Sequence, residues 1–203
     1  MREPDHNNLD FLWHAFLNGD DKVFSVIYQQ HVDRLLLYGR KLCPNKEWIH
    51  DSIQEVYLDL FLKRRKLGGK KIENLKAYLF VAFRNKLFKK MMKERKFQTL
   101  RLNGELEHDL FQSDYNIQNQ IIDFELSREI KEALVKAVSA LPSKQKEIIY
   151  LKFEEELEYS EIAEILKISI ESARKLLYRA LISLRKTLDQ KQVQVLLYLF
   201  QKK

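Results

Sequence analysis

Three carboxylates recur at four-residue intervals in one stretch of the sequence, at Asp51, Glu55 and Asp59. On a helix this spacing places side chains along one face, so the three negative charges repel one another and favour a cationic partner. His50 lies beside them in sequence, but its position turns it away from the row, so a divalent metal has little support. The row is interpreted as a solvated acidic face or, more specifically, as a contact for a basic protein surface.

The segment 63–71 reads KRRKLGGKK and carries six cations in nine residues around the only Gly-Gly pair. A positively charged, flexible loop is typical of a phosphate-binding feature rather than a packing feature. The G-x-x-x-x-G-K-[ST] pattern of a nucleotide-binding loop is absent around it. The segment therefore predicts contact with phosphates but gives no support for nucleotide hydrolysis.

A second basic cluster covers residues 82–96, which contain seven cations and one acid. Aromatic residues are interleaved with the cations, a pattern that suits single-stranded nucleic acid because cations hold phosphates and aromatic rings stack on unpaired bases. Tyr78 and Phe83 are expected in the core. Phe80 and Phe88 remain candidates for either role.

Residues 159–188 are predicted to form two helices joined by a tight turn, with Ser160 capping the first helix and Ser169 the second. One face of the second helix is apolar, because its apolar residues recur at spacings of three and four. These residues are Ala173, Leu176, Leu177, Ala180, Leu181 and Leu184. A short helix, a turn and a longer basic helix form the helix-turn-helix plan, which places a helix in the major groove of DNA. A solvated amphipathic helix hairpin is the alternative.

Helices are expected to position all of these residues. They include a third helix over 48–66, a fourth helix capped by Asn74, and a helix over 118–141. The 203-residue chain has only 5 Gly and 3 Pro and lacks the alternating runs typical of strands. We predict an all-α fold of two small helical domains, residues 1–96 and 129–203, joined by a flexible acidic linker over 97–128. A last apolar helix, at 191–200, is expected to pack on the second domain.

Composition narrows the class of protein further. The net charge of +7 favours a nucleic acid or another anionic surface as partner. The single cysteine, Cys43, cannot form a disulfide within the chain and is expected in the core, which fits a reducing compartment. No signal peptide or membrane-spanning segment is recognised, so a cytoplasmic protein is expected.

Three segments, taken in order, resemble motifs of bacterial RNA polymerase sigma factors. DSIQEVYLDLF at 51–61 resembles their D-x-x-Q-E-V-F-x-x-x-[WF] helix, and NLKAYLFVAFRN at 74–85 resembles the L-x-x-W-L-x-x-I-A-x-N helix that follows it. ALPSKQKEII, YSEIAEILKIS and ALISLR, within 140–185, resemble the C-terminal DNA-reading domain. The short acidic linker without a middle domain resembles the extracytoplasmic-function (ECF) group of the sigma-70 family.

This resemblance implies a specificity subunit with no catalytic residue, cofactor or metal of its own. The implied partners are the clamp and flap regions of core RNA polymerase, promoter DNA and an anti-sigma factor. Contacts with core polymerase are assigned to Asp51, Gln54, Glu55 and Asp59. Binding and melting of the −10 promoter element are assigned to Lys70, Lys71, Arg84, Asn85, Lys89 and Lys90. Reading of the −35 element is assigned to Ser172, Arg174, Lys175, Tyr178 and Arg179.

Two departures from the family pattern affect these expectations. Tyr78 stands where the family has tryptophan, and Lys167 stands where its turn usually has glycine, so a left-handed backbone at Lys167 should be strained or absent. An autonomous helix-turn-helix regulator is the alternative function, although it leaves the acidic row and the Gly-Gly loop unexplained. An enzyme has no support, because no nucleophile–base pair is recognised.

Overall fold

The computed structural model of the protein describes residues 6–64, 74–99 and 128–201. All regular elements in these ranges are helical, which confirms the all-α prediction. The chain divides into two compact units, Met1–Leu106 and Glu107–Lys203. Residues 100–127, which make up most of the predicted linker, lie outside the described part of the chain. Within that part, none of the helices is both long and apolar enough to cross a membrane.

Within the described residues, the N-terminal unit contains four helices, in which α3 packs against both α2 and α4. Their bounds are α1 His6–Leu17, α2 Lys22–Leu42, α3 Lys46–Leu62 and α4 Leu75–Thr99. Asn74 caps α4 as predicted, since its side-chain oxygen accepts a hydrogen bond from the Ala77 N–H at 3.1 Å. Asn45 does the same for α3 through the Trp48 N–H, also at 3.1 Å. The third helix was expected to reach residue 66, but α3 ends at Leu62.

Close packing of α2 against α3 and α4 depends on Gly39. A Cβ atom at this position would lie 2.6 Å from Ile49 Cγ2 and 2.8 Å from Phe83 Cζ, closer than side-chain atoms normally approach. The rings of Phe80 and Phe83 are fully buried and lie 5.1 and 6.2 Å from the Tyr38 ring. Phe80 is therefore a core residue, and its possible role in stacking on bases is excluded by its burial.

Two other buried residues in this unit, Cys43 and His31, have side chains that can ionise. Cys43 is buried, as expected. His31 is buried too, and neither of its ring nitrogens has a hydrogen-bond partner among the described residues. Burial, with smaller contributions from the charges of Lys76 and Arg34, lowers the pKa of His31 to about 4, so the ring is neutral at pH 7.

The C-terminal unit contains five α-helices and one π-helical turn within the described residues. The bounds are α5 Arg128–Ser139, α6 Ser143–Ile149, the π-helical turn Tyr150–Glu154, α7 Tyr159–Leu166, α8 Ile170–Thr187 and α9 Gln190–Gln201. The central helix, α8, packs against α6 and α7, while α9 packs against α5, α8 and the π-helical turn. The prediction that the last helix packs on this unit is confirmed. A predicted helix over 118–141 is observed from Arg128 onward, and its earlier residues lie outside the described ranges.

Candidate functional site

The acidic row of α3 lies against two lysines of α4 and forms an ion-pair ladder: Asp51, Glu55, Asp59, Lys86 and Lys90. The Lys86 ammonium nitrogen lies 2.9 Å from Asp59 Oδ2 and 3.4 Å from Glu55 Oε2. The Lys90 nitrogen lies 2.9 Å from Glu55 Oε1 and 3.1 Å from Asp51 Oδ2. Each ammonium group thus bridges two carboxylates one helical turn apart. The order of the pairs shows that α3 and α4 run antiparallel here.

The ladder also perturbs the ionisation of its members. The hydrogen bond from Lys90 is the main cause that lowers the pKa of Glu55, and the hydrogen bond from Lys86 does the same for Asp59. Lys63 adds a further ion pair to Asp59 at 3.1 Å. Although partial burial lowers the pKa of Lys86 and Lys90, their hydrogen bonds to the carboxylates outweigh it and raise both values. Glu55, Asp59, Lys86 and Lys90 are therefore charged at neutral pH.

The acidic row nevertheless stays accessible to solvent. The side chains of Asp51, Glu55 and Asp59 are 58%, 47% and 38% exposed, whereas those of Lys86 and Lys90 are each 25% exposed. Gln54 is exposed as well. A partner that approaches α3 from solvent meets the carboxylates first. No group of three His, Cys, Asp or Glu side chains in the described ranges is arranged to hold a metal ion.

A second group of predicted site residues lies in the same stretch of α4 as Lys86 and Lys90. Asn85 and Lys89 are one turn apart and so share a face of the helix, and Lys89 is exposed. Beside them, the Arg84 guanidinium carbon lies 4.2 Å from the centroid of the Phe88 ring, a cation–π contact. The ring of Phe88 is partly exposed. Lys70 and Lys71, the other predicted −10 residues, lie outside the described residues.

The helix-turn-helix is formed by α7, a three-residue turn and α8. Ser169 caps α8 as predicted, since its hydroxyl oxygen accepts from the Ser172 N–H at 3.1 Å. The expected cap of α7 by Ser160 is wrong. The helix begins at Tyr159, and the Glu161 carboxylate accepts a hydrogen bond from the Glu158 N–H at 2.7 Å. Glu158 is therefore the N-cap residue of α7, and Glu161 completes a capping box with it.

The turn contains a left-handed residue that is not glycine. Lys167 has φ 56° and ψ 48°, and its N–H donates to the Glu164 carbonyl at 3.3 Å. The next N–H, of Ile168, donates to the Ala163 carbonyl at 3.0 Å. This bonding pattern ends a helix with one left-handed residue, which is usually glycine. The sequence predicted that a left-handed backbone at Lys167 would be either strained or absent. In the structure Lys167 has the left-handed conformation.

The outer face of α8 presents all five residues predicted to read the −35 element. Its inner face, with Ala173, Leu177, Ala180 and Leu184, is buried as predicted, whereas Leu176 and Leu181 are only partly buried. The outer residues Ser172, Arg174, Lys175, Tyr178 and Arg179 are exposed. Tyr178 is 66% exposed.

Several of these outer side chains are held by neighbours. The Arg174 guanidinium carbon lies 5.5 Å from the centroid of the Tyr159 ring on α7, and Lys152 approaches the same ring at 5.1 Å. Lys175 forms an ion pair with Glu171, one turn earlier. The hydroxyl groups of Ser169 and Ser172 are 2.9 Å apart and hydrogen bonded.

Sequence reasoning missed three residues at these surfaces. Lys86 completes the ion-pair ladder, and Tyr159 supports Arg174. Ile170, at the start of α8, is 45% exposed and lies one turn before Arg174 on the same face. Ile170, Arg174 and Tyr178 are spaced four residues apart, so the sequence alone places Ile170 on the same face of the helix as the other two. The contacts of Lys86 and Tyr159 join different helices, so no spacing within one helix reveals them.

Comparison with known protein families gives a match in the C-terminal unit. The family model described as "Sigma-70, region 4" matches residues 131–184, which include α6, α7 and most of α8. Among curated proteins, the chain is similar to the ECF RNA polymerase sigma factor SigM of Bacillus subtilis (strain 168). The two are 27% identical over 154 residues, which cover 76% of this chain and 88% of the relative.

Two solved structures share the fold. One is the sigma factor RpoE in complex with the anti-sigma factor NepR from Bartonella quintana, with a TM-score of 0.54 and 20% identity over 82% of this chain and 96% of that chain. The other is CnrH in complex with the cytosolic domain of CnrY, with a TM-score of 0.51 and 16% identity over 93% of this chain and 96% of that chain. At these identities the likeness concerns the helical fold alone.

Proposed function

We propose that this chain is a sigma factor of the extracytoplasmic-function group of the sigma-70 family, in line with its similarity to sigma-70 region 4 and to an ECF sigma factor. In this role it binds core RNA polymerase, recognises the −10 and −35 promoter elements and opens the DNA for transcription initiation. The observation that carries this proposal is the coincidence of the matched residues 131–184 with a helix-turn-helix whose outer face is basic and exposed. In this proposal the polymerase performs the chemistry in the cytoplasm, and the chain contributes no catalytic residue.

The −35 element is read by the outer face of α8 in the major groove. Ser172, Arg174 and Lys175 lie in the first two turns of α8, the part of a recognition helix that reaches base edges. Arg and Lys pair with guanine there, and one good contact discriminates between bases by about 1–3 kcal/mol. Tyr178 and Arg179 lie further along the same face and contact the DNA backbone, which contributes affinity more than sequence preference.

The −10 element is bound by the exposed part of α4 together with the basic segment before it. Arg84, Asn85 and Lys89 supply a guanidinium group, an amide and an ammonium group along adjacent turns, and we assign Lys70 and Lys71 to the phosphates. Lys90 does not belong to this set in our proposal, because its ammonium group bridges two carboxylates of α3.

The amide of Asn85 provides a test of the −10 assignment. Asn85→Ala should impair opening of the promoter more than closed-complex binding, because unpaired bases exist only after melting. Permanganate reactivity of thymines around −10 measures the opening. Equal reactivity with the mutant and the parent holoenzyme contradicts the assignment.

Core polymerase docks on the exposed face of α3 through Asp51, Gln54, Glu55 and Asp59, by way of a basic surface of the clamp. The C-terminal unit binds the flap region of core polymerase. An anti-sigma factor is a further proposed partner, since the RpoE and CnrH structures were both solved with a second protein bound. The proposed domain bounds follow: polymerase and −10 binding by residues 1–96, a linker over 97–128, and −35 reading by residues 129–203.

Polymerase binding separates this function from that of an autonomous helix-turn-helix regulator. The purified chain should co-elute with core polymerase, and it should bind promoter DNA specifically only in that complex. Asp51→Lys with Glu55→Lys should abolish co-elution. The control Asp33→Lys with Glu47→Lys makes the same charge change at acids outside the row, and it should leave co-elution intact. All four acids are exposed, so the two variants are matched. Specific DNA binding by the free chain as a dimer favours the regulator instead.

A further inference from the structure

We propose that Lys86 and Lys90 are internal counter-ions that compete with core polymerase for the acidic row and so set the affinity of docking. This inference rests on the proposed function, because it concerns the same carboxylates that are assigned to the polymerase. It gives the two lysines a role within the protein rather than at the promoter. The competing partner is a surface rich in lysine and arginine, the chemistry that a row of carboxylates recognises.

Charge balance is the first reason. Asp51, Glu55 and Asp59 contribute three negative charges, and Lys63, Lys86 and Lys90 lie within ion-pairing distance of them with three positive charges. The row and its lysines together therefore carry no net charge. A cationic surface gains little long-range attraction from a neutral group, so the rate of encounter with the row is lower than three carboxylates alone would give.

Geometry is the second reason. The two lysines are less exposed than the carboxylates, because their ammonium groups lie between α3 and α4. The ion pairs use Oδ2 of both Asp51 and Asp59, and both oxygens of Glu55. At Glu55, a partner's arginine or lysine must therefore share both oxygens with the ladder or displace it. Since the pairs are partly exposed to solvent, each contributes little to stability and can be exchanged.

Removal of the two positive charges should consequently tighten docking. Lys86→Gln with Lys90→Gln keeps side chains that donate hydrogen bonds but leaves the carboxylates uncompensated. Equilibrium titration of the labelled full-length chain with core polymerase should show an affinity about tenfold higher than the parent's at low salt. The gain should shrink towards none near 1 M salt, where charges are screened within about 3 Å.

Two controls keep the result specific. Lys22→Gln with Lys93→Gln removes two charges from exposed positions of the same unit outside the ladder, and should leave the affinity within about twofold of the parent's. Lys90→Arg keeps the charge and should also behave like the parent. If the double glutamine variant folds poorly, which circular dichroism reports, Lys90→Gln alone should still show a gain of about threefold.

The outcomes separate this inference from the function on which it rests. If the parent binds core polymerase and Asp51→Lys with Glu55→Lys does not, but the glutamine variants bind no more tightly than the parent, the counter-ion role is overturned and the proposed function stands. If the parent does not bind core polymerase at all, both are overturned. A loss of promoter affinity in holoenzyme carrying Lys90→Gln, with unchanged core affinity, also overturns the inference and returns Lys90 to the −10 set.

Discussion

Replacement of Lys167 by glycine should stabilise the C-terminal unit, because this residue holds a left-handed backbone in the turn between α7 and α8. A residue with a Cβ atom loses about 1–2 kcal/mol in this conformation. Glycine avoids that cost, but it adds about 0.4–1 kcal/mol of conformational entropy to the unfolded chain. The difference leaves a gain of about 0.5–1 kcal/mol. The backbone N–H groups that close the turn are unchanged by the substitution.

Hydrogen exchange of the α7 and α8 amides in the full-length chain measures this gain. Exchange resolves the C-terminal unit by itself, whereas both tryptophans, Trp13 and Trp48, lie in the other unit. Protection should rise about two- to fivefold in Lys167→Gly. Lys167→Ala removes the same charge but keeps the Cβ atom, so it should resemble the parent. Equal protection in the glycine and alanine variants refutes the reasoning, because it means that the left-handed backbone costs nothing or is not populated.

Three further predictions concern the core and the DNA surface. Gly39→Ala should destabilise the N-terminal unit by about 1–3 kcal/mol, because the new Cβ atom would lie 2.6 Å from a side-chain carbon of α3; urea unfolding followed by tryptophan fluorescence checks this. His31 has a folded-state pKa of about 4 against 6.5 when unfolded, so the unfolded chain binds more protons and stability falls as the pH drops below 6.5. The loss is about 2 kcal/mol at about pH 5, and in the same assay His31→Leu should lack it; an identical pH dependence of parent and variant contradicts the pKa shift. Arg174→Ala should change the preferred bases at one or two −35 positions, whereas Arg179→Ala should mainly lower affinity; selection of −35 variants by each holoenzyme measures both, and parental preferences in the Arg174 variant contradict the assignment.

Features set by neighbouring residues could be predicted from the sequence. Asn74 and Ser169 cap their helices as expected, because a capping side chain and its N–H partner are only three residues apart. The buried face of α8, which includes Ala173 and Leu177, follows from the helical period alone. The sequence does not identify the capping residue where several neighbouring side chains could cap the same helix. Ser160 and the acids around it are all possible caps for α7, but Glu158 is the N-cap residue and Glu161 completes a capping box with it.

Features set by contacts between helices could not be predicted. The acidic row was visible in the sequence, but its counter-ions lie 31 and 39 residues away from Glu55 and Asp51, at Lys86 and Lys90. Only the antiparallel arrangement of α3 and α4 brings these groups together. Because aromatic residues are interleaved with cations in this segment, the sequence allowed Phe80 either to stack on bases or to lie in the core. Its full burial against Tyr38 makes it a core residue.

Run-off transcription with core polymerase tests the central proposal most directly. Fragments of the source genome are transcribed by core enzyme with and without the purified chain, and the start sites are mapped. We expect discrete transcripts that require the chain and that share paired sequence elements near −10 and −35 of their start sites. Transcription that does not depend on the chain, together with specific DNA binding by the chain alone, contradicts the proposal.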